Sequence, residues 1–224
     1  MPSGKGNSAG VVSRVAHLDA VTVDAMGTLV ELDDPVERLG QALRNRSVER
    51  NAEDVATAFA AEVEYYIGHK LAAANRQALA DLRRECTRVF LETGKIDLDP
   101  GDFAPSFVAA IAFRPLDGAV EALERLRAAG LSLACVSDWD IGLDEQLERI
   151  GLGHLFALVL TSAEVGAEKP DPTLFLQAVE RLRVAPARAL HVGDGEADRV
   201  GAEAAGLAFE PAPLGTLPER LGVQ

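Results

Sequence analysis

The sequence predicts an α/β fold, a doubly wound parallel sheet with an inserted all-helical segment, and three observations carry that expectation. A nearly continuous apolar run over 18–24 ends on Asp24, as a strand buried on both faces would. From Asp117 onward helical and strand patterns alternate, which calls for parallel strands joined by crossover helices. Between the two, residues 33–113 carry helical periodicity alone.

The first element is the stretch Val21-Thr22-Val23-Asp24-Ala25-Met26-Gly27-Thr28-Leu29, three β-formers running into an acid and then a glycine turn. A carboxylate in that place either opens the turn or stands at a sheet edge exposed for chemistry. Helical patterns follow over 35–46, 52–72, 75–93 and 100–113, with Asp34 and Asn51 as the expected N-caps. The second half begins with an amphipathic helix over 118–129 closed by Gly130, then a strand over 131–136 and a helix over 144–150 ending at Gly151. A strand over 157–161, a helix over 172–183, a strand over 189–192, a helix over 197–205 and a short strand over 207–209 complete it. The expected organisation is a disordered tail at 1–17, an α/β body of 18–32 and 114–224, and a helical insertion at 33–113.

With 224 residues, 48% of them apolar, the chain has the composition of an ordinary globular protein with a sizeable core. The net charge is −13, from 35 acids against 22 lysines and arginines, and no basic cluster is present to neutralise a nucleic-acid backbone. Nucleic acid is therefore not an expected partner, and an anionic substrate would need local cations or a metal. Cys86 lies in a helical pattern and Cys135 in an apolar strand pattern, and both read as buried, reduced thiols. No apolar run approaches the roughly 18 residues that would span a bilayer, so the expectation is a cytoplasmic protein without a membrane partner, a monomer or homodimer.

Ligands of open α/β sheets bind at the carboxyl ends of the strands. Here those ends hold Asp24, the pair Ser137-Asp138 after LSLACV, Lys169 in GAEKPDP, and Asp194 with Asp198 in HVGDGEAD. Each has an ordinary alternative: a helix N-cap for Ser137, a solvated turn residue for Lys169, a capping acid for Asp194. Together they form a nucleophile, a hydroxyl, a cation and a pair of acids, the set that phosphoryl transfer to an aspartate requires. Trp139 reads either as a pocket wall or as a packed core residue. Within the insertion, Glu62, Tyr65, Tyr66, His69 and Lys70 fall on neighbouring faces of one helix, either a face that selects substrate or a solvated boundary between helices.

Taken in order and spacing, VTVDAMGTLV, VSD, the lysine of GAEKPDPTLF and HVGDGEADRVGAEAAG resemble the four motifs of the haloacid dehalogenase superfamily of aspartate-nucleophile hydrolases. The resemblance implies a Rossmann-like core with residues 33–113 as a C1-type helical cap. It implies Asp24 as nucleophile, Ser137 as donor to a transferring oxygen, and Lys169 as the cation that neutralises both. It further implies Mg²⁺ held by Asp24, the backbone carbonyl of Met26, and Asp194, with Asp198 either reaching the metal through water or orienting Lys169. Thr28, Asp138, Trp139, Tyr65, Tyr66, His69 and Lys70 are the expected substrate contacts, and the expected substrate is a small phosphorylated molecule.

Two departures from the family pattern matter. Phosphatases of the superfamily usually carry a second aspartate two residues after the nucleophile, where it protonates the leaving group; here that position is Met26, which cannot. Such acid-base help is worth about 10²- to 10⁴-fold, so alkyl esters should react slowly and acyl or aryl phosphates comparatively well. Asp138 stands where asparagine is common and adds negative charge. Haloacid dehalogenases carry an aromatic residue at the Met26 position and need no metal. Phosphonoacetaldehyde hydrolases keep the metal and use a cap lysine, for which Lys70 is the candidate, with a solvated helix position as its alternative. A catalytically weak descendant that binds a metabolite or a protein is the remaining reading. The presence of both Asp194 and Asp198 favours metal-dependent phosphoryl transfer.

Overall fold

The computed structural model describes residues 17–223, so residues 1–16 of the expected tail lie outside it. In chain order the elements are β1 (Ala20–Val23), β2 (Val30–Leu32), α1 (Pro35–Arg44), α2 (Ala52–His69), α3 (Arg76–Thr93), α4 (Pro100–Ala110) and β3 (Phe113–Pro115). These are followed by α5 (Ala119–Ala128), β4 (Ser132–Ser137), α6 (Leu143–Arg149), β5 (Leu158–Thr161), α7 (Ser162–Val165) and α8 (Thr173–Leu182). The chain closes with β6 (Ala189–Gly193), α9 (Glu196–Ala204), β7 (Ala208–Pro211) and α10 (Leu217–Leu221).

Five strands form one parallel sheet in the order β5-β4-β1-β6-β7. β1 is central and all four of its residues are buried, because β4 and β6 pair with it along its whole length. The alternation of side chains sends Val21, Val23, Leu133 and Cys135 into one core, against Leu123 and Leu126 of α5. Ala20, Ala134, Val136 and Leu160 face the opposite core, against Leu174 and Phe175 of α8 and Ala202 of α9. With both faces covered, β1 can meet a ligand only at its carboxyl end. Strand order also reverses direction there, the place where such sheets bind ligands.

The four helices α1 to α4 bury a separate core of their own, in which Leu39, Leu43, Phe90, Phe103 and Phe107 are almost fully buried. Their ends are held by side-chain caps: Asn51 accepts from the Asp54 N–H, Asn75 from Ala78 and Asp99 from Asp102. The expected cap at Asp34 is not formed. Asp34 adopts a left-handed backbone with φ 46° and makes no capping bond, and α1 instead starts on Pro35, whose fixed φ suits a first helical turn.

Two further expectations are corrected. The helix over 100–113 stops at Ala110, because Phe113–Pro115 pairs antiparallel with Val30–Leu32. This two-stranded ribbon carries the chain out of the sheet and back, and three-residue strands are too short to register as periodicity. The helix over 52–72 is α-helical only to His69 and tightens into a 3₁₀ turn over Lys70–Ala72. Cys86 and Cys135 are buried and unbridged. Among the described residues no helix is long and apolar enough to cross a membrane.

Candidate active site

Three adjacent strands deliver the site. Asp24 follows β1, Ser137 is the last residue of β4, and Asp194 follows β6. The Asp24 N–H still donates to the Val192 carbonyl at 2.9 Å, so the ladder fixes its backbone one residue beyond the strand. Its Oδ1 accepts from Ser137 Oγ at 3.0 Å and from Lys169 Nζ at 2.6 Å, which leaves Oδ2 outside those two bonds. Lys169 enters from the loop between α7 and α8, where its N–H donates to Asp138 Oδ1 at 3.1 Å.

Lys169 Nζ also donates to Asp198 Oδ1 at 2.6 Å, and all three side chains are buried. Burial disfavours the ammonium, but the charges of Asp24 and Asp198 outweigh it and hold Lys169 above the ordinary lysine value. Asp198 answers the same logic in reverse. Burial raises its carboxyl, yet the bond from His191 and the charge of Lys169 hold it well below the usual carboxylate range. The pair is therefore ionised at neutral pH, a fixed cation beside a fixed anion.

His191 is the functional residue that the sequence did not reveal. It is fully buried in β6, with Nδ1 2.8 Å from Thr22 Oγ1 and Nε2 2.9 Å from Asp198 Oδ1. Burial lowers its pKa, so the ring is neutral at pH 7. An ionised carboxylate only accepts, so Nε2 carries the proton toward Asp198 and Nδ1 takes the Thr22 hydroxyl hydrogen. A bonded chain thus runs from the strand interior through Thr22, His191 and Asp198 to Lys169 and Asp24. The only available signal was a histidine in an otherwise apolar strand, which must find partners to be buried there.

Oxygen atoms of Asp24, Asp194 and Asp198 lie within 4.8 Å of one another, a hard donor set that fits Mg²⁺. Asp194 reaches the group over Gly27: a Cβ built on Gly27 would sit 2.3 Å from Asp194 Oδ2, and its φ of +79° also favours glycine. Burial and then the nearby Asp24 charge raise the Asp194 carboxyl, strain that a cation would relieve. Asp198 is differently placed, since both its oxygens already accept: Oδ1 from Lys169 and His191, Oδ2 from the Gly195 N–H at 3.1 Å. Those contacts suit the orienting of Lys169. The Thr28 hydroxyl beside this loop is buried without a hydrogen-bond partner among the described residues.

A cavity of about 500 Å³ lies between the sheet edge and the helical segment. Of the expected contacts it is lined by Tyr66, Lys70, Asp138 and Trp139, and Thr28 is not part of its lining. Tyr65 and His69 do not line it; their rings stack on each other at 3.9 Å and His69 Nδ1 lies 2.7 Å from the Tyr65 carbonyl, with His69 exposed. Lys70 is not a solvated helix residue either, because it is buried and its Nζ is 2.6 Å from Glu168 Oε1. Trp139 meets both of its readings, packed edge-on against Phe113 at 5.2 Å while walling the cavity. Met26 projects into the same space with 39% of its surface exposed.

Glu62 also lines this cavity, and burial pushes its carboxyl up to about 7, with only a bond from the Cys86 thiol working against it. A folded-state pKa above the unfolded one contributes stability that is complete below about pH 4.5 and is lost as pH rises through 7. Glu62→Gln should leave stability at pH 4 nearly unchanged and raise it at pH 8 by up to about 3 kcal/mol, read by denaturant unfolding at the two pH values. Equal stability changes at both would contradict the assignment.

A model of the haloacid dehalogenase-like hydrolases matches residues 18–206. Haloacid dehalogenase-like hydrolase domain-containing protein 3 of Mus musculus is 42% identical over 102 residues, 45% of this chain and 41% of that protein. The match thus spans about two fifths of that relative's length. A phosphoglycolate phosphatase of Thiobacillus denitrificans is 34% identical over 138 residues, 55% of this chain and 60% of its own. Among solved structures, the magnesium-bound HAD-hydrolase YfnB of Bacillus subtilis shares the fold with a TM-score of 0.70 at 17% identity, covering 92% of this chain and 99% of that one.

Proposed function

The chain belongs to the haloacid dehalogenase-like hydrolases, and from that premise we propose that it is a Mg²⁺-dependent phosphatase of small molecules that works through an aspartyl phosphate on Asp24. One observation carries the reading: the Asp24 carboxylate is pinned through Oδ1 by Ser137 and Lys169 while lying in an acidic group with Asp194. A lone carboxylate ending a strand needs none of these partners, whereas a nucleophile that receives a phosphoryl group needs all of them.

In this reading Oδ2 of Asp24 attacks phosphorus, the bond from phosphorus to the leaving oxygen breaks, and water then hydrolyses the aspartyl phosphate to release inorganic phosphate. Ser137 and Lys169 donate to the oxygens that gain charge, and Asp198, held by His191, keeps Lys169 aimed. Asp24, Asp194 and the Met26 carbonyl would hold Mg²⁺, which would supply the positive charge that lets a phosphate dianion enter an acidic site. The helices α1 to α4 act as a C1-type cap that closes over the substrate. Asp194 beside Asp24 speaks against a metal-free dehalogenase, and Lys70 engaged by Glu168 speaks against a Schiff-base lysine.

Acetyl phosphate and p-nitrophenyl phosphate test the reading directly. Phosphate release should require Mg²⁺, fall to the uncatalysed rate in EDTA, and return when Mg²⁺ is restored. Full activity in EDTA, or no release from either compound under any condition, would overturn it, and chloride release from 2-chloropropionate would then identify the dehalogenase alternative.

A further inference from the structure

We propose that the cavity beside Met26 selects phosphates whose non-phosphate body is apolar, aryl bodies foremost, over polyol and amino-acid phosphates. The inference rests on the phosphatase reading and names its substrate class.

The cavity volume of about 500 Å³ lies in the range of small-molecule sites. Its position ties it to the chemistry: Met26 is two residues past Asp24, and Asp138 follows Ser137 and accepts the Lys169 N–H. Phe59, Val63, Phe107, Val108, Phe113 and Trp139 supply apolar walls.

The charged side chains in the lining do not offset this, because each already has a protein partner. Glu62 is bonded by the Cys86 thiol, Lys70 by Glu168 and Arg83 by Glu145. Asp138 accepts from Lys169, and Asp140 accepts from the Tyr66 hydroxyl and the Gly142 N–H. The surface facing the cavity is mostly carbon, so a body rich in hydroxyl groups would give up water for few polar contacts, whereas an apolar body loses nothing by the same transfer. A second, independent feature points the same way. With methionine at position 26 the site favours leaving groups that depart without a proton, and aryl oxygens are such groups. Leaving-group chemistry and chamber polarity thus converge on one class.

The preference is tested free of turnover by calorimetric binding, in Mg²⁺, of n-hexylphosphonate and 2,3-dihydroxypropylphosphonate, neither of which can be hydrolysed. The hexyl compound should bind at least about tenfold more tightly, and Val63→Ser should shrink that ratio. A preference under about threefold, equal binding, or tighter binding of the dihydroxy compound would overturn the inference. So would the failure of both to bind to an enzyme that hydrolyses acetyl phosphate. An enzyme that prefers the hexyl compound but hydrolyses no phosphate would sink the phosphatase reading and leave the chamber's selectivity standing.

Discussion

Asp24→Asn should lose phosphatase turnover by about 10⁴-fold or more while keeping nearly all of its folding stability. The amide is a far poorer nucleophile than the carboxylate, and nothing nearby is placed to substitute, since Asp198 is tied to Lys169 and His191. The fold tolerates the change because Lys169 keeps Asp198 as a buried counter-ion at 2.6 Å when the Asp24 charge is removed. Lys169→Met supplies the contrast. It leaves Asp24 and Asp198 buried without their shared ammonium, and removing one partner of a buried pair costs about 3–5 kcal/mol, so here activity and stability should fall together. Steady-state kinetics beside denaturant unfolding separates the two variants. Substantial activity in Asp24→Asn, or a stability loss as large as that of Lys169→Met, would contradict the roles given.

The second large effect is a gain. Met26→Asp should raise turnover of alkyl phosphates by about 10²- to 10⁴-fold while changing acetyl phosphate turnover little. An alkoxide leaves poorly without a proton, whereas acetate needs none, so a newly supplied acid helps only the first. Met26 is already 39% exposed and faces the cavity, so an aspartate there is smaller and hydrated rather than buried. A plot of log kcat/KM against leaving-group pKa should be steep for the wild type and shallow for the variant. Parallel plots would show that position 26 does not reach the leaving group.

The site was legible in the sequence to the extent that sheet topology dictates it. Apolar runs ending in Asp24, Ser137 and Asp194 must bring those residues to one edge once the strands are parallel. The strands β2 and β3 were not legible, since three residues carry no period. His191 was not legible either, because its role exists only through Thr22 and Asp198, which lie near it in space rather than in pattern. The polar cluster of α2 shows the limit most clearly. Helical geometry groups Glu62, Tyr66 and Lys70 on one stripe and Tyr65 with His69 on the next, but only packing against the sheet turns the first stripe inward. Likewise the loop conformation that aims Lys169 at two acids is a property of the folded chain and not of any local motif.

Passage of a phosphoryl group through Asp24 is tested by mass spectrometry of enzyme quenched in acid during turnover of acetyl phosphate with Mg²⁺. A phosphoryl adduct should appear only on the peptide that holds Asp24 and be absent both in EDTA and from Asp24→Asn. Sustained phosphate release with no adduct on that peptide, or an adduct that persists in Asp24→Asn, would contradict it.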